Sequence, residues 1–543
     1  MEIYTGEISC SGIAIGRIAE LSRHETLIRR TCAEDPAAET ARYRAAKAES
    51  RTELEALKTK AAEETGKSGA DLFKAHIMLL DEFDERVENL ILTQNVSAEY
   101  AVSEAGSSMA AVFTAMDDNP YMQARASDIK DLADRVIRAL NRGDNSGGEA
   151  IPAGAIFTEK IILAADDLAP SETVQIDKEG IAAFVTREGS TNSHTAILAR
   201  TMNIPALCQT PLPKEAAGKL GIVDGTKGVL YVDPDEETLT KYREKMEGEE
   251  KKQQLLAELK GKETVTRSGR KVRLCANISG IDDIPSALES DAAGIGLFRS
   301  EFLYLENDTF PSEEEQFLAY RTAAEKMAGR EVVIRTLDIG SDKQISGFGP
   351  DFGENPALGC RAIRFCLTYE DIFRTQLRAL YRASHYGCIA ILIPMIISKW
   401  EVARVKEICG EVKAELDAQG LPYRDVRTGI MIETPAAVLM ADELAETADF
   451  FSIGTNDLTQ YTLAADRRNQ RISRFFDDHH PAVLKAIRMT VEAAHRHHIP
   501  VSICGDLATD TALTETFVRM GIDELSMSPS SILPMRKLIR EME

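Results

Sequence analysis

Through the second half of the chain apolar residues fall in short blocks, and each block stops at or just before a polar or reactive side chain. The blocks are KVRLCAN, ending at Asn277; GIGLFRSE, with Arg299 and Glu301; VVIRTLD, with Arg335 and Asp338; and IAILIPM, ending at Met395. GIMIET follows with Glu433, FFSIGTND with Asn456 and Asp457, VSICGD with Cys504 and Asp506, and ELSMS with Ser528. Segments long enough for helices, among them 313–328, 369–385, 400–417 and 481–497, separate the blocks. Strand and helix alternating eight times predict a (β/α)8 TIM-type barrel, a fold whose chemistry sits at the C-terminal ends of its strands. Polar residues supplied to that rim by several strands point to an enzyme.

The first half has a different texture. EIYTGEIS and GIAIGRIAEL predict two short strands around a turn within residues 1–22. From about Ala33 to Arg142 the chain is rich in Ala, Glu, Lys, Arg and Leu, with apolar positions three and four residues apart. That spacing predicts four amphipathic helices, the second opening near a turn at Gly69 and the fourth following Asp117-Asp118-Asn119-Pro120. NRGDNSGGEAIPAG is a turn-rich linker, after which β-type runs return in AIFTEKIILA, GIAAFVT, IPALCQ, GIVDG and GVLYVD. The expected organisation is multidomain α/β: one α/β domain from 1–22 plus 145–232, a helical bundle inserted at 33–142, a charged linker helix at 235–262, and the barrel at 265–543. No internal repeat marks a solenoid.

Composition narrows the function. A chain of 543 residues needs more than one core, and a formal charge of −23 repels a nucleic-acid backbone or an anionic membrane. The nine cysteines are scattered and form no CxxC, as expected of reduced thiols in a cytosol. MEIYTGEISC lacks the basic and apolar regions of a signal peptide, and no apolar run approaches the ~20 residues that span a bilayer. A cytoplasmic protein is expected.

Two places carry candidate chemistry. In GSTNSHTAILAR, Gly189 to Arg200, a strand is followed by small polar residues, one histidine and the start of a helix. His194 is thereby placed at a helix N-terminus, where unpaired N–H groups favour an anion, and neutral imidazole is a good nucleophile towards phosphorus. Thr191, Ser193 and Thr195 can donate to phosphoryl oxygens, although a histidine in such a loop can equally serve only to cap the helix. At the barrel rim, Arg299, Arg335 and Arg361 offer paired donors to phosphate or carboxylate, with Lys343 and Arg467 adding charge. Glu433 and Asp457 end consecutive strands and suit Mg²⁺ or Mn²⁺, which favour oxygen donors. Asn456 can bond a phosphoryl oxygen. Cys504, at a strand end, is either packing or, in an enolate-forming site, a proton donor.

GIAIGRI, AHIMLLDE, STNSHTAILAR, GIGLFRSEFLY, RTLDIGSDK, NPALGCRAIR, GIMIETPAA, FSIGTNDLTQYTLAADR and ICGDLA, in this order, resemble the phosphoenolpyruvate-utilising enzymes, and within them the Enzyme I family of the bacterial sugar phosphotransferase system. The resemblance covers essentially the whole chain. It implies that His194 is the phosphorylated histidine, that Arg299 and Arg335 hold the phosphoryl group of phosphoenolpyruvate, and that Glu433 and Asp457 bind Mg²⁺. Asn456, Arg467, Lys343 and Arg361 would complete the substrate shell, and Cys504 would protonate the enolpyruvate. The inserted helices would dock the carrier protein HPr, through an acidic and apolar face for which Asp71, Met78, Leu79, Glu82 and Asp84 are candidates. The barrel would form a homodimer, and hinges near Gly143–Gly148 would let the histidine domain swivel. Asp506 stands where the family usually has Glu, one methylene longer. The related pyruvate-phosphate dikinases and phosphoenolpyruvate synthases need a nucleotide-binding domain, and no Gly-rich phosphate loop precedes the His194 region here.

Overall fold

The computed structural model describes residues 1–21, 28, 30–114, 120–141, 160–166, 168, 180–189, 194–202, 204–305, 310–339, 355, 357–467 and 469–543. Gly143–Gly148 and Lys343 lie outside them. The chain divides into two compact units, Met1–Glu250 and Lys251–Glu543.

The first unit contains an eight-stranded sheet of β1 (Glu2–Thr5), β2 (Glu7–Cys10), β3 (Ile13–Glu20), β4 (Ile161–Ala165), β5 (Ile181–Thr186), β6 (Ala206–Cys208), β7 (Leu220–Asp224) and β8 (Val229–Val232). Its order is β1-β8-β7-β3-β4-β5-β6-β2. Only Gly6 separates β1 from β2, yet β1 pairs with β8 at one edge and β2 with β6 at the other. The first ten residues therefore complete both edges of a sheet whose middle is β3 and five strands from Ile161 onward. Helix α4 (His194–Thr201) follows β5 and seats Ala199 in one of the cores of this unit, beside Leu163, Phe184 and Ala206.

Between β3 and β4 come the helical segments α1 (Pro36–Gln94), α2 (Ala98–Thr114) and α3 (Pro120–Asn141). Asp35 starts α1 by accepting the N–H groups of Ala37 and Ala38, with Pro36 at the first helical position. A straight helix of 59 residues would be about 88 Å long. Instead Tyr43 donates to Asp84 across 3.1 Å, Arg51 pairs with Asp81 at 2.9 Å, and Arg44 pairs with Glu88 at 2.7 Å. The run must reverse direction between Arg51 and Asp81, an interval that contains the turn expected near Gly69. The resulting core is made of the bundle's own residues, including Tyr43, Leu80, Phe83, Val102, Leu132 and Val136.

The bundle corrects one of the expected docking residues: Leu79 is buried in this core. Asp84 bonds Lys47 and Tyr43 while its side chain stays 43% exposed. Met78 and Glu82 are exposed one turn apart on α1, and the side chain of Asp71 lies outside the described residues.

Helix α5 (Glu236–Ala257) leads into the second unit, where eight parallel strands close a barrel: β9 (Arg273–Ile278), β10 (Ile295–Arg299), β11 (Val332–Arg335), β12 (Ile389–Ile393), β13 (Arg427–Ile432), β14 (Phe451–Ile453), β15 (Val501–Ile503) and β16 (Glu524–Met527). All eight expected strand runs are present, and β16 pairs with β9 to close the ring. The strands alternate between two cores. Leu297, Val333, Leu392, Met431 and Cys504 fill the barrel interior, while Phe298, Ile334, Ile391, Ile432 and Ile453 face the surrounding helices. Those helices include α6 (Glu313–Lys326), α7 (Glu370–Ser384), α8 (Lys399–Ala418), α9 (Thr455–Leu463), α10 (Pro481–Arg496) and α11 (Pro529–Glu541). Ser312 and Glu315 form a capping box that starts α6.

Arg536 of α11 fastens the entrance to this unit. It is buried, and its guanidinium donates to the Leu259 carbonyl at 2.9 Å, to both the carboxylate (2.5 Å) and the carbonyl (2.8 Å) of Asp291, and to the Thr264 hydroxyl at 3.2 Å. Arg536→Ala leaves these acceptors without their donor and should destabilise the barrel by about 2–4 kcal/mol. Urea unfolding followed through Trp400, the single tryptophan and a residue of this unit, measures the loss.

Candidate active site

Because the eight strands are parallel, their C-terminal ends meet at one rim. Arg299 and Arg335 are the last residues of β10 and β11. Glu433 follows β13 directly, Asn456 and Asp457 occupy the first turn of α9, and Cys504 follows β15. With Arg361, Arg467, Glu301 and Asp338 they line one cavity of about 1250 Å³. Eight of the ten expected site residues are thus brought together. Lys343 lies outside the described residues, and His194 belongs to the first unit, where its backbone opens α4. Thr191, Ser193 and the His194 side chain lie outside the described residues.

Arg335 and Arg361 are held in a lattice of carboxylates. Arg335 donates to Glu301 at 2.9 Å and pairs with Asp338 at 3.0 Å. Arg361 donates to the other oxygen of Asp338 at 2.8 Å, to Asp457 at 3.3 Å and to the Tyr461 hydroxyl at 3.3 Å. Glu301 also accepts the Asp338 N–H at 3.2 Å. Burial works against the charge of Arg335, but Glu301, Asp338 and Glu433 outweigh it and raise its pKa; Asp338 and Asp457 do the same for Arg361. Arg299 differs. It has no hydrogen-bond or ion-pair partner among the described residues, and its side faces solvent at the strand end.

The carboxylates facing these arginines are under opposite stress. Burial, with Asp457 and Asp338 nearby, pushes Glu433 up to about 8 against the pull of Arg335 and Arg361. Its Oε1 accepts the Met395 N–H at 2.6 Å, and Met395 holds a left-handed backbone, φ 61°, to present that donor. Asp457 Oδ1 is buried without a hydrogen-bond partner among the described residues, with Arg467 Nη1 at 3.8 Å. Asn456 Oδ1 accepts the Asp506 N–H at 2.9 Å, which commits the oxygen and leaves the amide N–H groups as its donors. Cys504 is buried and its thiol is pushed up to about 11, first by desolvation. The Asp506 side chain is exposed.

Glu301, Asp338 and Tyr461 also line or bond the site without having been assigned a role above, although Glu301 and Asp338 mark the ends of their apolar blocks. An acid two or three residues beyond an arginine at a strand end is the signal that could have found the first two. Tyr461 carries no such signal, because its partner is a hundred residues away.

Residues 253–543 match the family model for the PEP-binding domain of the PEP-utilising enzymes, residues 5–125 match that for their N-terminal domain, and residues 157–228 that for their mobile domain. Relatives named phosphoenolpyruvate-protein phosphotransferase occur in Bacillus sp. (strain S) and Geobacillus stearothermophilus, each 41% identical over 99% of this chain and 93% of the relative. Another, from Bacillus subtilis (strain 168), is 40% identical over 100% of this chain and 95% of its own. The barrel with its rim of arginines and acids is the part matched by the PEP-binding model, and with similarity running along nearly the whole sequence, the chain belongs to the PEP-utilising enzymes.

Proposed function

We infer that the enzyme moves the phosphoryl group of phosphoenolpyruvate to its own His194 and from there to the histidine of the carrier protein HPr, releasing pyruvate as the first step of the sugar phosphotransferase system. The observation that carries this reading is the rim cavity that joins arginines, the acids Glu301, Asp338, Glu433 and Asp457, and a buried thiol. Phosphoenolpyruvate brings phosphate and carboxylate charge, and transfer requires that charge to be neutralised in place. Arg299, exposed at its strand end and without a side-chain partner among the described residues, is a cation open to the substrate. Arg335 and Arg361, already oriented by Asp338, provide fixed donors that need no reorganisation when charge shifts to the bridging oxygen.

The donor set suits a hard divalent cation, Mg²⁺ or Mn²⁺. Asp457 has a buried oxygen without a hydrogen bond among the described residues, and Glu433 is an acid crowded by acids. Glu433 and Asp457 would hold the ion, which when bound supplies Lewis-acid neutralisation of phosphoryl oxygens. The His194 imidazole would attack phosphorus as the bridging P–O bond breaks; an N–P bond forms, and the P–O electron pair stays on the bridging oxygen, which leaves as the enolate of pyruvate. Cys504 gives its proton to C3, the S–H bond breaking as the C–H bond forms and C2–O becomes a carbonyl. A thiol with a pKa near 11 carries that proton throughout the neutral range. Met78 and Glu82, exposed on α1, and the half-exposed Asp84 fit the face offered to a basic carrier. Association through the barrel as a homodimer and a cytoplasmic setting complete the proposal, and no described helix is long and apolar enough to cross a membrane.

His194→Ala should abolish acid-labile labelling by phosphoenolpyruvate while leaving Mn²⁺ binding unchanged; a labelled mutant would move the acceptor elsewhere. Metal binding should itself depend on pH. With Glu433 protonated below about 8 in the metal-free protein, binding releases a proton, and affinity falls by up to about tenfold per pH unit below that value. Calorimetry in buffers of different ionisation enthalpy reads the proton, and Glu433→Gln should remove both the proton and most of the affinity. Glu82→Lys should slow phosphoryl transfer to HPr at low salt through the association rate, with labelling of His194 unchanged in a rapid-quench measurement.

A further inference from the structure

Asn277 ends one of the eight apolar blocks, yet the chemistry above makes no use of it. Its amide is fully engaged. Nδ2 donates to the main-chain oxygens of Cys504 and Ser526, each at 3.1 Å, and Oδ1 accepts the Ser526 hydroxyl at 2.6 Å. These bonds tie β9 to β16 and to the end of β15, across the seam where the barrel closes. Ser526 is buried, and a Cβ on Gly296 of β10 would lie 2.4 Å from its hydroxyl oxygen. Glycine at 296 leaves the space that Ser526 needs in order to face Asn277.

The peptide after Cys504 needs such a tie. Gly505 follows, and a Cβ there would come within 2.0 Å of the Thr455 hydroxyl, so this turn needs the residue that has no Cβ. Its two ends are fixed from outside. Asn277 holds the Cys504 carbonyl on one side, and Asn456 accepts the Asp506 N–H at 2.9 Å on the other. On the strand side the Cys504 N–H donates to the Ile453 carbonyl at 3.1 Å, and the thiol points to the same oxygen at 3.5 Å.

We propose that Asn277, oriented by Ser526, is a positioning residue that holds Cys504 so that its thiol delivers a proton to one face of the enolate C3. The inference rests on Cys504 being the proton donor. Proton transfer demands close and directed approach, and a displacement of about 1 Å at a reacting group costs on the order of a hundredfold in rate. A slowed transfer lets the enol escape and pick up its proton from water on either face.

The test follows that difference. The full enzyme with Mg²⁺ turns over (Z)-3-deuterio-phosphoenolpyruvate in tritiated water, and the chirality of the methyl group in the released pyruvate is determined alongside the rate of His194 labelling. The wild type should give one chirality and Cys504→Ala a racemic methyl. Asn277→Ala, the near-isosteric Asn277→Asp, which cannot donate, and Ser526→Ala should each lose most of the enantiomeric excess while labelling His194 within about twofold of the wild-type rate. Retained chirality in the Asn277 and Ser526 variants, whether labelling is normal or slowed, would reduce the amide to a structural tie and overturn the proposal. If Cys504→Ala also kept its chirality, the assignment of the proton donor would fall first.

Discussion

A cation stripped of water persists in a protein only where anions take the water's place, and that requirement organises the barrel mouth. Arg335 and Arg361 are both largely buried, and both remain charged because Asp338 stands between them and bonds each. Asp338 is itself set by Glu301, which joins its N–H to Arg335. Remove one member and another is left as an uncompensated charge. The network is consequently a rigid unit rather than a set of mobile side chains, and it fixes the direction of donors from two different parts of the rim. The excess of acids beyond these pairs falls on Glu433 and Asp457, where a divalent cation has a natural place.

Much of this architecture was legible in the sequence, for a physical reason. Parallel strands covered on both faces read as continuous apolar runs, and loops at their C-terminal ends must carry whatever polar residues the site uses. Hence Arg299, Arg335, Glu433, Asp457 and Cys504 could be singled out from the positions at which their runs stop. The sheet of the first unit was visible in the same way, through IAIGRIAE, IAAFVT and the other short β-type runs.

What stayed hidden depends on contacts between distant residues. Periodicity showed α1 to be helical, but only the pairings of Tyr43 with Asp84 and Arg51 with Asp81 require it to double back. The same pairings give Asp84 a structural bond that no local pattern announces. Leu79 and Met78 are neighbours of similar character, and only the packing of the bundle decides that one is core and the other surface. Asn277 was visible as a strand-end residue, but its partners, Cys504 and Ser526, follow more than two hundred residues later, beyond the reach of any local pattern.

The placing of β1 and β2 on opposite edges, with only Gly6 between them, bears on the order in which this protein assembles. β1 and β2 leave the ribosome well ahead of their partners β8 and β6, which are made about two hundred residues later. At ~5–20 residues per second they wait roughly 10–40 s with unpaired edges. The helical insertion draws its core from its own residues and needs nothing downstream to complete it. During synthesis the bundle can therefore fold as a finished body while the strands that flank it remain open, and the sheet closes around chain that has already folded.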